Sequence, residues 1–280
     1  MAERPARQAP TAQGAQVVRT EQITPHMVRV VLGGDGLADF ALEGFTDHYL
    51  KLCFAPEGAD YAHPFDMARI REEYPRELWP TTRTYTVRSW DPVARELAID
   101  FVVHGDEGLA GPWASRARVG DQVTFLGPGG GYGPQASAGW HLLAGDESAL
   151  PAIAAALEQM PAGAVVHAFV EVSDASEEQK IVTPDGVEVT WLHRGDRPVG
   201  EALTAAVKGL DFPEGEVQAF VHGEAGFVKE IRRHLRLERG IPPRQLSISG
   251  YWRLGQNDDA WRAVKREWNE QVEREQESAA

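Results

Sequence analysis

Apolar and polar residues alternate in short runs through the first half of the chain. A run of this period buries one face of a strand and wets the other. The runs are Gln16–Thr20, Met27–Leu32, Thr46–Phe54, Arg83–Ser89, Arg95–His104 and Gln122–Leu126, and Gly33-Gly34-Asp35-Gly36 supplies a turn. Six short strands with turn signals predict an antiparallel barrel. Residues 55–81 read as a long insertion with one helical turn at Met67–Glu73. Gly127-Pro128-Gly129-Gly130-Gly131-Tyr132-Gly133-Pro134 breaks the pattern; it lacks the GxGxxG spacing and reads as a linker.

Beyond that linker the period changes. Trp140–Ala144, Ala164–Val172, Val187–His193, Val217–His222 and Gln245–Tyr251 read as strands. Between them Ser148–Met160, Gly200–Leu210 and Glu224–Arg239 read as helices, which predicts a parallel α/β sheet. A last charged helix, Asp258–Glu275, carries an apolar stripe at Trp261, Val264, Trp268 and Val272, expected to pack on the sheet or barrel. The expected organisation is a loose tail over residues 1–15, a barrel domain over 16–133, and an α/β domain with a terminal helix over 134–280.

The chain has 280 residues and a formal net charge of −14, which excludes a general nucleic-acid binder. Any local basic cluster then becomes informative, because an anionic ligand needs a positive pocket. Cys53 is the only cysteine, so an internal disulfide or a cysteine-built iron–sulfur cluster is excluded; a buried, inert thiol is expected. No stretch has the apolar length of a stable membrane span, and Met1–Gln16 lacks a signal-peptide core, so a cytoplasmic location is expected.

The most chemical of the strands is Arg83-Thr84-Tyr85-Thr86-Val87-Arg88. Arg83, Tyr85 and Val87 share one face, and Thr84, Thr86 and Arg88 the other. A flavin dinucleotide needs a cation for its pyrophosphate, a ring against isoalloxazine and a hydrogen-bonding group near N5. The same alternation also suits an ordinary amphipathic barrel strand. His104 to Ala114 is a turn of small residues opening a short helix, suited to a pyrophosphate or simply to a tight turn capped by Trp113. Ala144-Gly145-Asp146-Glu147-Ser148 is a strand end followed by a helix start, where ligands of α/β sheets bind and where Asp146 or Ser148 serves equally as a helix cap. Arg194, at a second strand end, suits the 2′-phosphate of NADPH or a solvated loop; Glu171, at its neighbour's end, points towards NADH.

Together the RxYT strand, Asp100-Phe101-Val102-Val103-His104-Gly105, GDESALPAI, Trp191-Leu192-His193-Arg194, HGEAGFVKEIRRHL and GYWRLG resemble the siderophore-interacting proteins over Gln16 to Trp268. These are FAD-containing ferric-siderophore reductases of the ferredoxin–NADP reductase fold superfamily. The resemblance implies an N-terminal antiparallel FAD-binding β-barrel followed by a C-terminal α/β nicotinamide-binding domain. It implies that Arg83 holds the FAD phosphates, Tyr85 packs on the isoalloxazine and Thr86 lies near N5. His104 with Ala110 and Gly111 would shape the adenine and pyrophosphate end, and Asp100 and Trp113 are counted with the cofactor-binding residues. Gly145, Asp146, Glu147 and Ser148, with Arg194, would border NADPH or NADH, and Lys51 and Arg253 would attract an anionic ferric siderophore. No protein nucleophile, acid or metal ligand is needed. The alternatives are a general flavin reductase, a ferredoxin-linked electron carrier, and a siderophore-binding protein without turnover.

Overall fold

The computed structural model describes residues 12–277. Met1–Thr11, most of the expected tail, lie outside the described residues; Gln13 to Ala15 already belong to the first strand and pair with Val123 to Phe125. The barrel comprises β1 (Gln13–Thr24), β2 (Met27–Gly33), β3 (Tyr49–Phe54), β4 (Thr81–Asp91), β5 (Glu96–Val102) and β6 (Gln122–Gly129). It closes in the order β1-β2-β5-β4-β3-β6, so no strand edge is left open. Inward positions from every strand, including Val30, Leu32, Leu50, Leu52, Val87, Ile99, Phe101 and Phe125, fill its interior.

The 55–81 insertion packs on the outside of the barrel. Asp66 caps α1 (Met67–Glu73) by accepting from Ala68 N and Arg69 N. Phe65 and Ile70 then bury a minor core against Cys53, with Tyr61, Tyr74 and Trp79 packed around it. Burial pushes the Cys53 thiol up to about 11, which keeps it inert as expected.

The expected linker is shorter and firmer than its glycines suggest. Gly127–Gly129 are still strand, and the next turn is pinned by Asp47 Oδ1, which accepts from Gly131 N and Tyr132 N at 2.8 Å each. Tyr132 is buried and packs on Phe220 of the second sheet, its ring centroid 4.9 Å away.

The second half alternates strand and helix: β7 (Trp140–Gly145), α3 (Leu150–Glu158), β8 (Val166–Val172), β9 (Val189–His193), α4 (Glu201–Gly209), β10 (Val217–Glu224), α5 (Ala225–Arg233), β11 (Leu246–Trp252) and α6 (Asp258–Glu277). α2 (Ala110–Arg116) belongs to the barrel half. The sheet is wholly parallel, in the order β11-β10-β7-β8-β9. Chain order reverses between β7 and β10, and the crevice at that switch is where such sheets take ligands. The helix expected over Glu224–Arg239 is α5 followed by a π-helical turn over His234–Glu238.

The stripe on α6 is shifted from the expected one. Trp261 and Val272 are buried and Trp268 is partly so, but Val264 is exposed. Lys265, one turn beyond Trp261, takes the inward place instead. The inward side runs Trp261, Lys265, Trp268, Val272 in steps of four, three and four, as about 3.6 residues per turn requires.

Polar contacts join the two halves. Arg88 on β4 makes a bidentate pair with Glu158 of α3 at 2.8 and 2.5 Å. Buried Glu177 accepts from the Thr24 hydroxyl at 2.5 Å and from His26 N at 3.1 Å.

Candidate functional site

β4 brings its two faces to different neighbours. Tyr85 lies over Phe101 with ring centroids 4.3 Å apart, and burial pushes its phenol up to about 12. Arg83, two residues earlier, faces α6: it donates to both oxygens of Asp259 at 2.9 Å, and Asp258 lies 3.3 Å away. The guanidinium thus holds two carboxylate oxygens side by side, the bidentate geometry that arginine offers to carboxylates and phosphates alike. On the opposite face Thr86 and Arg88 are buried towards the second half.

Beyond β5, Ala110 is buried in the barrel core, and Trp113 sets its edge on Phe54 and Phe101. A side chain at Gly111 would come within 3.2 Å of the Val102 carbonyl, which explains the small residue there. No side chain caps the N-terminus of α2, and His104 lies exposed in the loop before it. Asp100 departs from the expectation. Its carboxylate is buried and taken bidentately by Arg29 at 2.6 and 2.8 Å, with Arg88 at 3.9 Å. Its hydrogen bonds go to Arg29, while Arg88 pairs chiefly with Glu158.

At the switch point, Gly145 is where only glycine fits: a Cβ would meet Ala149 Cβ at 2.5 Å and the His222 carbonyl at 2.8 Å. Asp146, fully buried, is the organiser. Its Oδ1 accepts from Ser148 N at 3.0 Å and the Ser148 hydroxyl at 2.5 Å. Its Oδ2 accepts from Glu224 N and from Trp252 Nε1, both at 2.8 Å. One carboxylate therefore ties the ends of β7, β10 and β11 together. Burial pushes it up to about 6, against the pull of these donors. Gly223, at φ +139°, has no space for a side chain, which would lie 2.6 Å from Asp146 Oδ2. Glu224 in turn accepts from Gly226 N, Phe227 N and Leu254 N, capping α5 and fixing the loop that carries Arg253.

Arg253 is part-exposed, with Nη1 4.0 Å from Glu224 and its guanidinium 5.9 Å from the Trp268 ring. Lys51 points out of β3, opposite Thr84 of β4, without an ion pair among the described residues. Lys265 is the cation that the sequence reading missed. It lies within electrostatic reach of His222 and Asp258, and burial lowers its pKa. Its signal was its place four residues after Trp261 on an amphipathic helix.

His222 is buried, stacked on Phe220 at 3.9 Å, with Nε2 3.0 Å from the Ser247 hydroxyl. Burial, and then the Lys265 charge, lower its pKa from 6.5 to about 3. Below pH 6.5 the unfolded chain takes up a proton that the native ring refuses. The stability present above pH 6.5 is therefore lost as pH falls towards 3, by about 1.4 kcal/mol per unit. Between pH 7 and 5 the loss from this group is about 2 kcal/mol. Urea denaturation at the two pH values should show a His222→Gln variant less acid-sensitive by about that amount; equal slopes would remove His222 from the account.

The chain matches two family profiles in succession: the siderophore-interacting FAD-binding domain over residues 16–132 and the siderophore-interacting protein over residues 138–255. It is 35% identical over 250 residues to the ferric vibriobactin reductase ViuB of Vibrio cholerae, covering 87% of this chain and 90% of that one. It is 32% identical over 242 residues to the NADPH-dependent ferric-chelate reductase of Escherichia coli, with coverage of 84% and 91%. Among solved structures, a siderophore utilization protein from T. fusca superposes with a TM-score of 0.77 at 40% identity, covering 89% of this chain and 95% of that one.

Proposed function

Since the chain belongs to the siderophore-interacting protein family, we propose that it passes electrons from NADPH or NADH through FAD to the ferric iron of a siderophore in the cytoplasm. The observation that carries this reading is the position of Arg83 and Tyr85. They stand on the strand of an FAD-binding barrel that faces α6, the helix following directly on the Arg253 loop at the switch point. Residues 16–133 and 134–280 are then the FAD-binding and nicotinamide-binding units.

Arg83 would grip the FAD pyrophosphate by exchanging the carboxylates of Asp258 and Asp259 for phosphate oxygens. Tyr85 would flank the isoalloxazine, and Thr86 would offer its hydroxyl near N5. Ala110, Gly111 and Trp113, with His104, would leave room for the remaining dinucleotide. Bound FAD supplies the conversion of a two-electron hydride into single electrons. The Gly145–Ser148 turn would border the nicotinamide dinucleotide over the sheet, with Asp146 holding the turn from beneath and Glu147 and Arg194 at its far side. Lys51, Arg253 and Lys265 would draw in the anionic ferric complex, offsetting the chain's net charge of −14. One hydride reduces two Fe(III) to two Fe(II) and leaves NAD(P)+ and a proton. Fe(II) is held less tightly by hard oxygen donors, so the iron is released. None of these residues needs to form a bond to the substrate.

Turnover with several ferric siderophores and either nicotinamide, scored by a ferrous-iron trap, tests the proposal. Ferrous iron should accumulate; a colourless protein that binds ferric siderophore without reducing it would favour a sequestering role, and reduction only with ferredoxin would replace the nicotinamide as donor. Heat-released flavin should be FAD by chromatography, and FMN as the main species would contradict the pyrophosphate role. Arg83→Ala should lose flavin on purification, because removing a charge-assisted bidentate contact costs roughly 1.5–3 kcal/mol, about ten- to hundredfold in affinity.

A further inference from the structure

The guanidinium of Arg194 is already occupied. Reaching from the end of β9 across the end of β8, it donates to Glu147 at 2.8 and 3.3 Å and to Glu171 at 3.5 Å. The two carboxylates are not equivalent. Glu171 is fully buried and accepts from Gly200 N at 2.7 Å and Leu203 N at 3.2 Å, so it is committed to the start of α4. Glu147 follows Asp146 in the β7 loop, is 15% exposed, and makes no other hydrogen bond among the described residues. The backbone beneath is fixed as well, because Arg197 donates to the carbonyls of His193 and Arg194. Glu147 is thus the one movable partner of an arginine held at the rim of the sheet.

Carboxylates and guanidinium groups at this rim sort dinucleotides by chemistry. A carboxylate accepts from a ribose 2′-hydroxyl, whereas a guanidinium takes a 2′-phosphate. With both acids in place the cluster carries one positive and two negative charges, so it offers acceptors to a diol and repels a phosphate. We propose that Glu147 sets the coenzyme preference by holding the Arg194 guanidinium that would otherwise meet the 2′-phosphate of NADPH. This rests on the reading that a nicotinamide dinucleotide crosses the C-terminal edge of the sheet. Glu147 is a positioning residue here, acting through Arg194.

The test compares FAD-loaded wild type, Glu147→Ala, Glu147→Asp and the double variant Glu147→Ala/Arg194→Ala. Affinities for 2′,5′-ADP and 5′-AMP are measured by calorimetry, alongside rates of flavin bleaching by NADPH and NADH. Glu147→Ala should raise the preference for 2′,5′-ADP over 5′-AMP, and for NADPH over NADH, roughly ten- to hundredfold, the value of a charge-assisted contact. Glu147→Asp should keep most of the wild-type ratio, and the double variant should lose the gain. A ratio unmoved by Glu147→Ala, or a gain that survives loss of Arg194, overturns the proposal. If NADH bleaches the wild-type flavin while the ratio stays fixed, only the Glu147 proposal falls. If neither nicotinamide bleaches it and 2′,5′-ADP binds no variant, the nicotinamide reading falls with it.

Discussion

Reversing both Lys51 and Arg253 to glutamate should raise KM for an anionic ferric siderophore by roughly two orders of magnitude. Lys51 is exposed without an ion pair among the described residues, and the nearest carboxylate to Arg253 lies 4.0 Å away. Both charges are therefore available to a ligand. Near a protein surface, replacing attraction by repulsion at two positions changes binding by roughly 2–3 kcal/mol, or about 30- to 150-fold. Reduction of the flavin by the nicotinamide should change far less, because the ferric complex takes no part in that half-reaction. Raising the ionic strength should narrow the difference between variant and wild type, since exposed charges are screened beyond about 8–10 Å. A neutral ferric chelate should show little effect. An unchanged KM for the anionic chelate would remove the two cations from the substrate pocket.

Asp146→Ala should be the most destabilising single change at the site. It strips the buried Glu224 N and Trp252 Nε1 of their acceptor at 2.8 Å and frees the Ser148 turn. A buried donor left without a partner costs about 1–3 kcal/mol, so roughly 4 kcal/mol of stability should be lost. Urea unfolding measures this directly. The loss should also reach Arg253, because Trp252 immediately precedes it. Folded Asp146→Ala protein should bind an anionic ferric chelate more weakly even where its flavin content is normal. A variant as stable as wild type would mean that the three strand ends are held by packing alone.

The barrel and the parallel sheet were legible because each strand states its own period. The alternation at Arg83 to Arg88 survives closure of the barrel, with Val87 inward and Thr86 and Arg88 towards the second half. Asp146 was legible as a helix cap, and it does accept from Ser148 N. Its bonds to Glu224 and Trp252 were not, since they span 78 and 106 positions and arise only when the strands align. For the same reason Arg83 showed no sign of its partner Asp259, 176 positions away. Asp100 lies in a motif that suggests a ligand, yet strand register sets it against Arg29, and a buried carboxylate takes the nearest cation. The exposed side of α6 carries so many charges that Lys265 looked like another of them. Its partial burial, within electrostatic reach of Asp258 and His222, distinguishes it.

The central claim, electron transfer from nicotinamide through FAD to siderophore-bound iron, is tested most directly by an anaerobic two-step experiment. The FAD-loaded protein is reduced with one equivalent of NADPH or NADH and then mixed with a ferric siderophore in the presence of a ferrous-iron trap. The flavin absorbance should bleach in the first step and return in the second, with two ferrous ions trapped for each flavin reoxidised. A flavin that stays bleached in the presence of the ferric siderophore, recovering its colour only when oxygen is admitted, would contradict the account.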